Sequence, residues 1–186
     1  GDAFSLIYSA QERRVYALNA SGRAPAAATL DEFQRRGLRA VPPRGILPVT
    51  VPGAAAGWGD LLAQFGTMGL DTVLRPAIDY AEQGFPVSER IAAAWARSTQ
   101  VLQQNDEAAR VFLPGGQAPR MGQRFHNPEL AHSLRLLADR GAAAFYRGPV
   151  AEAIVASSHE LGGLLTAEDL AAHSPTWVQP ISAPYR

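Results

Sequence analysis

The stretch Val49–Gly66, VTVPGAAAGWGDLLAQFG, constrains the fold more than any other part of the sequence. Its two valines predict the end of a buried strand, because β-branched side chains fit a pleated, packed surface. Pro52-Gly53 is a strong turn signal. Apolar residues then recur at helical spacing, and a glycine suited to a left-handed helix end closes the stretch. The sequence therefore predicts a strand, a tight turn and a helix.

The predicted helix begins with an unusual density of small residues, Ala54–Gly57 and Gly59. One explanation is functional: Gly53 and the helix start bring backbone N–H groups close to a substrate. The other is structural: small residues let the helix backbone approach a sheet or a second helix. Composition alone favours close packing, and both explanations stay open at this point.

The composition is that of a folded chain with a sizeable core. The 186 residues are 47% hydrophobic and 18% charged, and the formal net charge is zero. A neutral chain gives no electrostatic case for binding nucleic acid or an anionic membrane. There is no apolar run of the length that spans a bilayer. We therefore expect neither a nucleic-acid partner nor a membrane segment in this chain.

Several kinds of catalytic chemistry are excluded by the residues that are missing. The sequence contains no lysine and no cysteine. This removes a lysine nucleophile, a thiolate, a disulfide and cysteine-ligated zinc. The histidines show no metal-binding spacing, and no phosphate-binding glycine motif or GxSxG motif occurs. We expect no metal and no cofactor.

The remaining elements follow from periodicity and capping signals. A β-hairpin is predicted from the alternation at Phe4–Tyr8 and a second apolar run at Val15–Leu18. The other predicted elements are a strand at Ile46–Val51, helices at Leu30–Arg36, Thr72–Gln83, Glu89–Gln104, Pro128–Arg140, Pro149–Leu161 and Ala167–Ala172, and a strand at Trp177–Ile181. The chain starts at Gly1 with a strand already in progress, so we expect both ends to continue in a longer protein.

Short motifs in one order along the whole chain resemble the γ-glutamyltranspeptidases (γ-glutamyltransferases). They are GDAFSLIY, VYALN, APAAAT, VTVPGAAAGW, FGTMGL, LRPAIDYAEQGFPVS, AFYRGPVAEAIV, GGLLTAEDLAAH and the terminal PISAPYR. Each motif alone is weak, whereas the ordered set is specific.

The resemblance implies an α+β chain, a helix-rich fragment of the N-terminal-nucleophile hydrolase αββα sandwich. Residues 1–186 would form a single partial domain, the later part of the large subunit, without its N-terminal region and without the small catalytic subunit. In that family the precursor cuts itself, and the new N-terminal threonine of the small subunit attacks a γ-glutamyl amide such as glutathione. The threonine's own α-amine serves as the base. The resemblance therefore implies that no catalytic residue lies in this chain.

One departure from the family pattern concerns substrate binding. Typical members have R-E-x-A-P, whose arginine binds the substrate α-carboxylate. Here the segment reads NASGRAP, so Ser21 occupies the arginine position and Arg23 is the nearby guanidinium. A hydroxyl cannot supply the charge that a carboxylate-binding arginine does. Arg23 and Ser21 are the candidate substrate-binding residues; a structural role for Arg23 in the loop stays open.

Three functions remain open from the sequence. The first is a γ-glutamyltransferase or hydrolase; the second is an acylase or amidase of the same superfamily with a non-glutamyl donor, since NASGRAP resembles a branch near the cephalosporin acylases. The third is a non-catalytic structural module. The expected partners are the small catalytic subunit of the same precursor and a small γ-glutamyl substrate, and exposed apolar faces predict self-association. The resemblance is compatible with a periplasmic or secreted location, which the sequence does not determine.

Overall fold

A computed structural model describes residues 2–185 and divides them into two compact units. The first unit contains the residues up to Leu70 and those from Leu136 onward, and the second is Asp71–Arg135. The elements in chain order are β1 (Phe4–Ser9), β2 (Arg14–Asn19), α1 (Leu30–Arg35), α2 (Ala54–Phe65), α3 (Leu70–Gln83), β3 (Phe85–Pro86), α4 (Glu89–Arg97), α5 (Thr99–Leu102), α6 (Asp106–Phe112), β4 (Arg124–Phe125), α7 (Pro128–Arg140), α8 (Ala143–Tyr146), α9 (Pro149–Glu160), α10 (Ala167–Ala171) and β5 (Thr176–Val178).

The first unit is built on a three-stranded antiparallel sheet with β2 in the centre. β2 pairs with β1 and with β5. One face of this sheet packs on the end of α2: the Phe65 ring lies 5.1 Å from the ring of Tyr16 and 5.7 Å from that of Trp177. The predicted hairpin is confirmed, and the aromatic contacts join its second strand to α2.

The opposite face of the same sheet is apolar and exposed. Phe4, Leu6 and Tyr8 alternate along β1 and are 69%, 74% and 63% exposed. Antiparallel pairing with β2 puts Val15 opposite Tyr8 on this face, and Val15 is also exposed. A sheet that is apolar on both faces has the pattern of a sheet buried between two layers. We call this surface the outer sheet face.

Close backbone packing joins the segment after β2 to the turn before α2. A Cβ on Gly53 would lie 1.9 Å from the carbonyl oxygen of Ala20, and a Cβ on Gly57 would lie 2.6 Å from the Ala20 Cβ. A Cβ on Gly22 would lie 1.5 Å from the carbonyl oxygen of Val51. Only glycine fits at such separations. Close packing therefore accounts for the small residues at this turn and helix start.

The hydroxyl of Tyr146 in α8 holds the turn before α2 through two hydrogen bonds. It donates to the carbonyl oxygen of Pro52 at 2.7 Å and accepts from the N–H of Ala56 at 3.1 Å. The Ala56 N–H is one of the donors that a helix N-terminus leaves without an intrahelical partner. Tyr146 therefore ties the turn and the first turn of α2 to α8 through a single side chain.

The second unit has an aromatic centre of its own. The Phe125 ring lies 4.7 Å from Trp95 in an edge arrangement and 6.3 Å from Phe112 in a stacked one. Phe85 of β3 pairs with Phe125 of β4 and also contacts its ring. Aromatic pairs in these geometries add stabilisation beyond the area that they bury.

Three predicted elements differ in the structure. The strand predicted at Trp177–Ile181 is the shorter β5, Thr176–Val178, and Pro180 has no N–H to pair with a neighbouring strand. The strand predicted at Ile46–Val51 is absent, because Pro48 has no N–H to donate and the Val49 N–H closes a turn onto the Ile46 carbonyl. The helix predicted at Glu89–Gln104 is divided into α4 and α5 at Ser98, whose hydroxyl bonds the Ala94 carbonyl of the preceding turn. Serine at that position competes with the helix backbone and often bends a helix.

Other predicted elements are confirmed, although not every predicted cap or buried face is: Gly66, which follows α2, is extended (φ −75°, ψ 146°) and not left-handed. α3, α7, α9 and α10 lie within a residue or two of their predicted bounds. However, α2 buries Ala55 and Gly57, while Trp58, one of the apolar residues that recur at helical spacing, is 40% exposed. α6 lies in a segment for which the sequence predicted no helix. Within residues 2–185, no helix is both long and apolar enough to cross a membrane.

Removing the Tyr146 hydroxyl tests how much its two hydrogen bonds stabilise the turn before α2. We expect Tyr146→Phe to lower the free energy of unfolding by about 1–2 kcal/mol, because two hydrogen bonds are lost and two backbone groups are left without them. The matched change Tyr80→Phe, at a tyrosine that is 62% exposed, is expected to be neutral. Urea unfolding of the protein measures both variants. Equal stabilities of the two variants would contradict this role.

Candidate functional site

The loop after β2 is held by hydrogen bonds on both sides of Ser21. The Asp2 carboxylate accepts from the Ser21 hydroxyl at 3.1 Å and from the Gly22 N–H at 3.3 Å through the same oxygen. The Asn19 side-chain oxygen accepts from the Ser21 N–H at 2.9 Å. The Ser21 hydroxyl is thus hydrogen-bonded to Asp2 of the same chain, and this contact helps to fix the loop that carries Arg23.

Arg23 extends this ordered loop into a cleft. Its carbonyl oxygen accepts from the Val51 N–H at 3.0 Å, which fixes its backbone. Its exposed side chain lines a cleft of about 540 Å³ whose other polar lining residues are Glu168, Asp169, His173 and Ser174. Within the described part of the chain, the Arg23 guanidinium makes no ion pair and no side-chain hydrogen bond. It therefore keeps its donors available for a ligand.

Asp169 lies beside Arg23 in the cleft, but its carboxylate is used elsewhere. One oxygen accepts from the backbone N–H and the hydroxyl of Thr166, both at 3.0 Å, and closes the capping box of α10. The other oxygen accepts from the Ala26 N–H at 2.8 Å. Both oxygens thus accept hydrogen bonds from other groups, and Asp169 makes no ion pair with Arg23. The Thr166–Asp169 spacing is typical of a capping box, and the structure contains that box. The contact of Asp169 to Ala26 lies outside that pattern.

His173 forms the inner wall of the cleft. Its Nε2 is buried against Gly53 and has no hydrogen-bond partner among residues 2–185. Its ring lies 5.3 Å from that of Tyr146. Burial lowers the pKa of His173 below its ordinary value of 6.5, and the positive charge of Arg23 lowers it further, while the Gly53 backbone opposes both. The neutral imidazole is therefore favoured, and it adds no positive charge beside Arg23.

The structure separates the two predicted substrate-binding residues. Arg23 lines the cleft, whereas Ser21 is outside the cleft lining and is bound to Asp2. Asp169 and His173 were not predicted as parts of the site. The capping pattern pointed to Asp169 only as a helix cap, and no spacing in the sequence singles out His173. In the part of the chain that the structure describes, no cluster of three or more acidic or histidine side chains could hold a metal ion.

The fold and the motifs define an N-terminal-nucleophile hydrolase chain of mixed helix and sheet. The sequence model of the gamma-glutamyltranspeptidase family matches residues 1–186. The chain therefore belongs to the γ-glutamyltranspeptidase family, as the motif order predicted, and corresponds to part of its large subunit.

Relatives within this family have different activities. The chain is 38% identical to a glutathione hydrolase-like proenzyme of Bacillus subtilis, over 100% of this chain and 35% of the relative. It is 37% identical to the oxamate amidohydrolase proenzyme of Klebsiella pneumoniae, over 93% of this chain and 33% of the relative. The crystal structure of cephalosporin acylase from Bacillus halodurans superposes with a TM-score of 0.93 at 38% identity, covering 100% of this chain and 35% of that one.

The chain thus spans about a third of the length of the curated relatives it matches. The α+β fold class predicted from the resemblance is confirmed by the solved structure. That residues 1–186 form a single partial domain stays a prediction, as do the roles of Arg23 and Ser21.

The lowered pKa of His173 predicts a pH-dependent stability. Between the lowered pKa and about 6.5 the unfolded chain binds a proton that the folded chain does not. The stabilisation is therefore complete above pH 6.5 and is lost as the pH falls below it. We expect His173→Gln to flatten the dependence of the melting temperature on pH between about 5 and 7. His132→Gln, at an exposed histidine, is the control; the same pH profile in all three proteins would contradict the prediction.

Proposed function

We propose that the protein containing this chain transfers or hydrolyses γ-glutamyl amides such as glutathione, and that Arg23 binds the carboxylate of the donor. The observation that carries the proposal is the Arg23 guanidinium, which lines the cleft with Asp169 and His173 and makes no ion pair with any residue in the range 2–185. Arginine presents planar, paired N–H donors that match a carboxylate. Family membership supports an acyl-transfer reaction.

In this proposal the chemistry is divided between two subunits. A threonine outside this chain attacks the amide carbonyl, its α-amine takes the hydroxyl proton, and the amine leaves as the C–N bond breaks. Water or an amino acid then takes the acyl group from the ester. This chain positions the donor: Arg23 binds its carboxylate, and the neutral His173 lines the cleft. Fixed placement of the donor is a substantial part of such catalysis.

A second candidate is an acylase or amidase with a non-glutamyl donor. A specific observation favours it: Ser21 stands where typical family members have the carboxylate-binding arginine, and its hydroxyl is bound to Asp2. Arg23, two residues later, reaches the cleft from a different place on the loop. The similarity to an oxamate amidohydrolase supports a donor other than a γ-glutamyl amide. Oxamate, like glutathione, carries a carboxylate.

We propose that the small catalytic subunit of the same precursor covers the outer sheet face. Phe4, Leu6 and Tyr8 there are each more than 60% exposed. Contiguous apolar surface of this kind marks a protein interface. The names of the relatives as proenzymes support a second subunit formed by processing. Without that subunit, the same face is expected to drive self-association.

Replacing Arg23 tests the binding role. In the complete processed enzyme, Arg23→Ala is expected to raise KM for glutathione roughly 10- to 100-fold with little change in kcat, because a charge-assisted bidentate contact is lost. Arg23→Lys keeps the charge without the bidentate geometry and is expected to fall between. Steady-state kinetics with glutathione and oxamate measure the effect and also separate the two candidate donors.

Arg39→Ala is the matched control for that experiment, since Arg39 is an exposed arginine of the same unit that does not line the cleft. An unchanged KM in Arg23→Ala for each carboxylate-bearing donor contradicts the role of Arg23. A wild-type protein that is not processed and cleaves neither donor supports the non-catalytic alternative.

A second prediction concerns the 186-residue chain by itself. We expect it to release no glutamate from glutathione and to elute larger than a monomer, because the nucleophile is elsewhere and the outer sheet face is open. Light scattering after size-exclusion chromatography measures the second property. Replacing Leu6 with Thr, which keeps strand preference but removes apolar area, is expected to reduce association. Catalytic turnover by the chain, or a monomer at high concentration, would overturn the respective expectation.

A further inference from the structure

We infer that Asp169 is the positioning residue for Arg23, an inference that rests on the proposed binding role of Arg23. Asp169 belongs to the short helix α10, and Arg23 belongs to the loop after β2. The two are far apart in sequence but line the same cleft. Asp169 acts on Arg23 through the loop backbone and not through an ion pair.

The geometry is a three-point fixation of the loop. Upstream of Arg23, Asp2 holds the Ser21 hydroxyl and the Gly22 N–H. At Arg23 itself, the carbonyl accepts from Val51. Downstream, the Ala26 N–H donates to Asp169 at 2.8 Å, a contact that joins residues 143 positions apart. Without this last contact, the remaining two points of fixation lie at Arg23 and upstream of it, and the downstream side is released.

A capping box needs one acceptor group, and Asp169 supplies two separate ones. One carboxylate oxygen serves Thr166 and closes the box, while the other is directed to Ala26. The helix is itself firmly seated, because Leu170 is fully buried at 0% exposure. The side chain therefore has a rigid base from which to fix the loop.

The same contacts keep the Arg23 guanidinium available. A carboxylate lining the same cleft as an arginine ordinarily pairs with it and competes with an anionic ligand. Both oxygens of Asp169 instead accept hydrogen bonds from other groups, Oδ1 from the Ala26 N–H and Oδ2 from the N–H and hydroxyl of Thr166. Loss of the Ala26 contact frees the loop and at the same time frees an oxygen to pair with Arg23. Both effects weaken binding of a donor carboxylate.

The test uses the complete processed enzyme with glutathione or oxamate, whichever it cleaves. Asp169→Asn supplies a single side-chain oxygen and so cannot serve both Thr166 and Ala26. Asp169→Glu retains a carboxylate at the position where glutamate is a favoured capping-box residue, and its longer side chain displaces the contact to Ala26. We expect each variant to raise KM about ten-fold, with kcat within about two-fold. Asp169→Glu is expected to have the melting temperature of the wild-type protein. If Asp169→Asn does not fold, the KM of Asp169→Glu therefore tests the positioning role.

A double-mutant cycle separates positioning from general destabilisation. In an Arg23→Ala background, replacing Asp169 is expected to change KM no further, because the group that it positions is absent. Asp31→Asn, the same change at an exposed residue in the first turn of α1, is the control and is expected to leave KM unchanged.

The outcomes distinguish this inference from the proposed function. If Arg23→Ala raises KM but both Asp169 variants leave it unchanged, the positioning role is wrong and the proposed function stands. An effect of Asp169 that persists undiminished without Arg23 also overturns the inference. If Arg23→Ala itself leaves KM unchanged, the proposed binding role of Arg23 is wrong, and the positioning role of Asp169 is wrong with it.

Discussion

The close approach of the segment Ala20–Arg23 to the turn before α2 is the constraint on which the candidate site depends. Gly22, Gly53 and Gly57 leave no Cβ where one would lie within 2.6 Å of neighbouring atoms. Glycine costs conformational entropy on folding, so its use at three facing positions needs a compensating gain. The gain here is a loop pressed against a helix start, with the Arg23 carbonyl on a fixed backbone donor and the Arg23 side chain directed to the cleft. Packing and binding geometry thus arise from one contact.

The charges around the cleft follow a simple electrostatic arrangement. Arg23 lines the cleft together with Glu168 and Asp169, yet it makes no ion pair within residues 2–185. The carboxylate of Asp169 is hydrogen-bonded to the loop and within α10. Burial keeps the neighbouring His173 neutral, so the cleft holds one strong cation with free donors. An exposed, unpaired guanidinium gains little for stability, since surface ion pairs contribute about 0–1 kcal/mol. Its arrangement is the basis for the proposal that Arg23 binds an anionic group.

The sheet of the first unit connects this site to the rest of the protein. Its inner face is covered by α2 through Phe65, and its outer face exposes Phe4 and Leu6. Apolar side chains on both faces match a sheet that lies between two layers, which is the arrangement of the family's sandwich. β2, which runs directly into the Arg23 loop, is the central strand of that sheet. A layer placed on the outer face would therefore act on the same strand that positions the loop.

The sequence by itself determined the features that depend on neighbours a few residues away. Helix periodicity and capping signals placed α3, α7, α9 and α10, and the ordered motifs identified the family. The tertiary structure alone decided that the predicted strand before Pro52 is a turn and irregular chain, that Asp2 holds the Ser21 hydroxyl, and that Asp169 reaches Ala26. It also brought His173 to Arg23. The physical reason is range: caps and periodicity arise from contacts within one or two helical turns, whereas a hydrogen bond across 143 residues leaves no pattern in the local sequence.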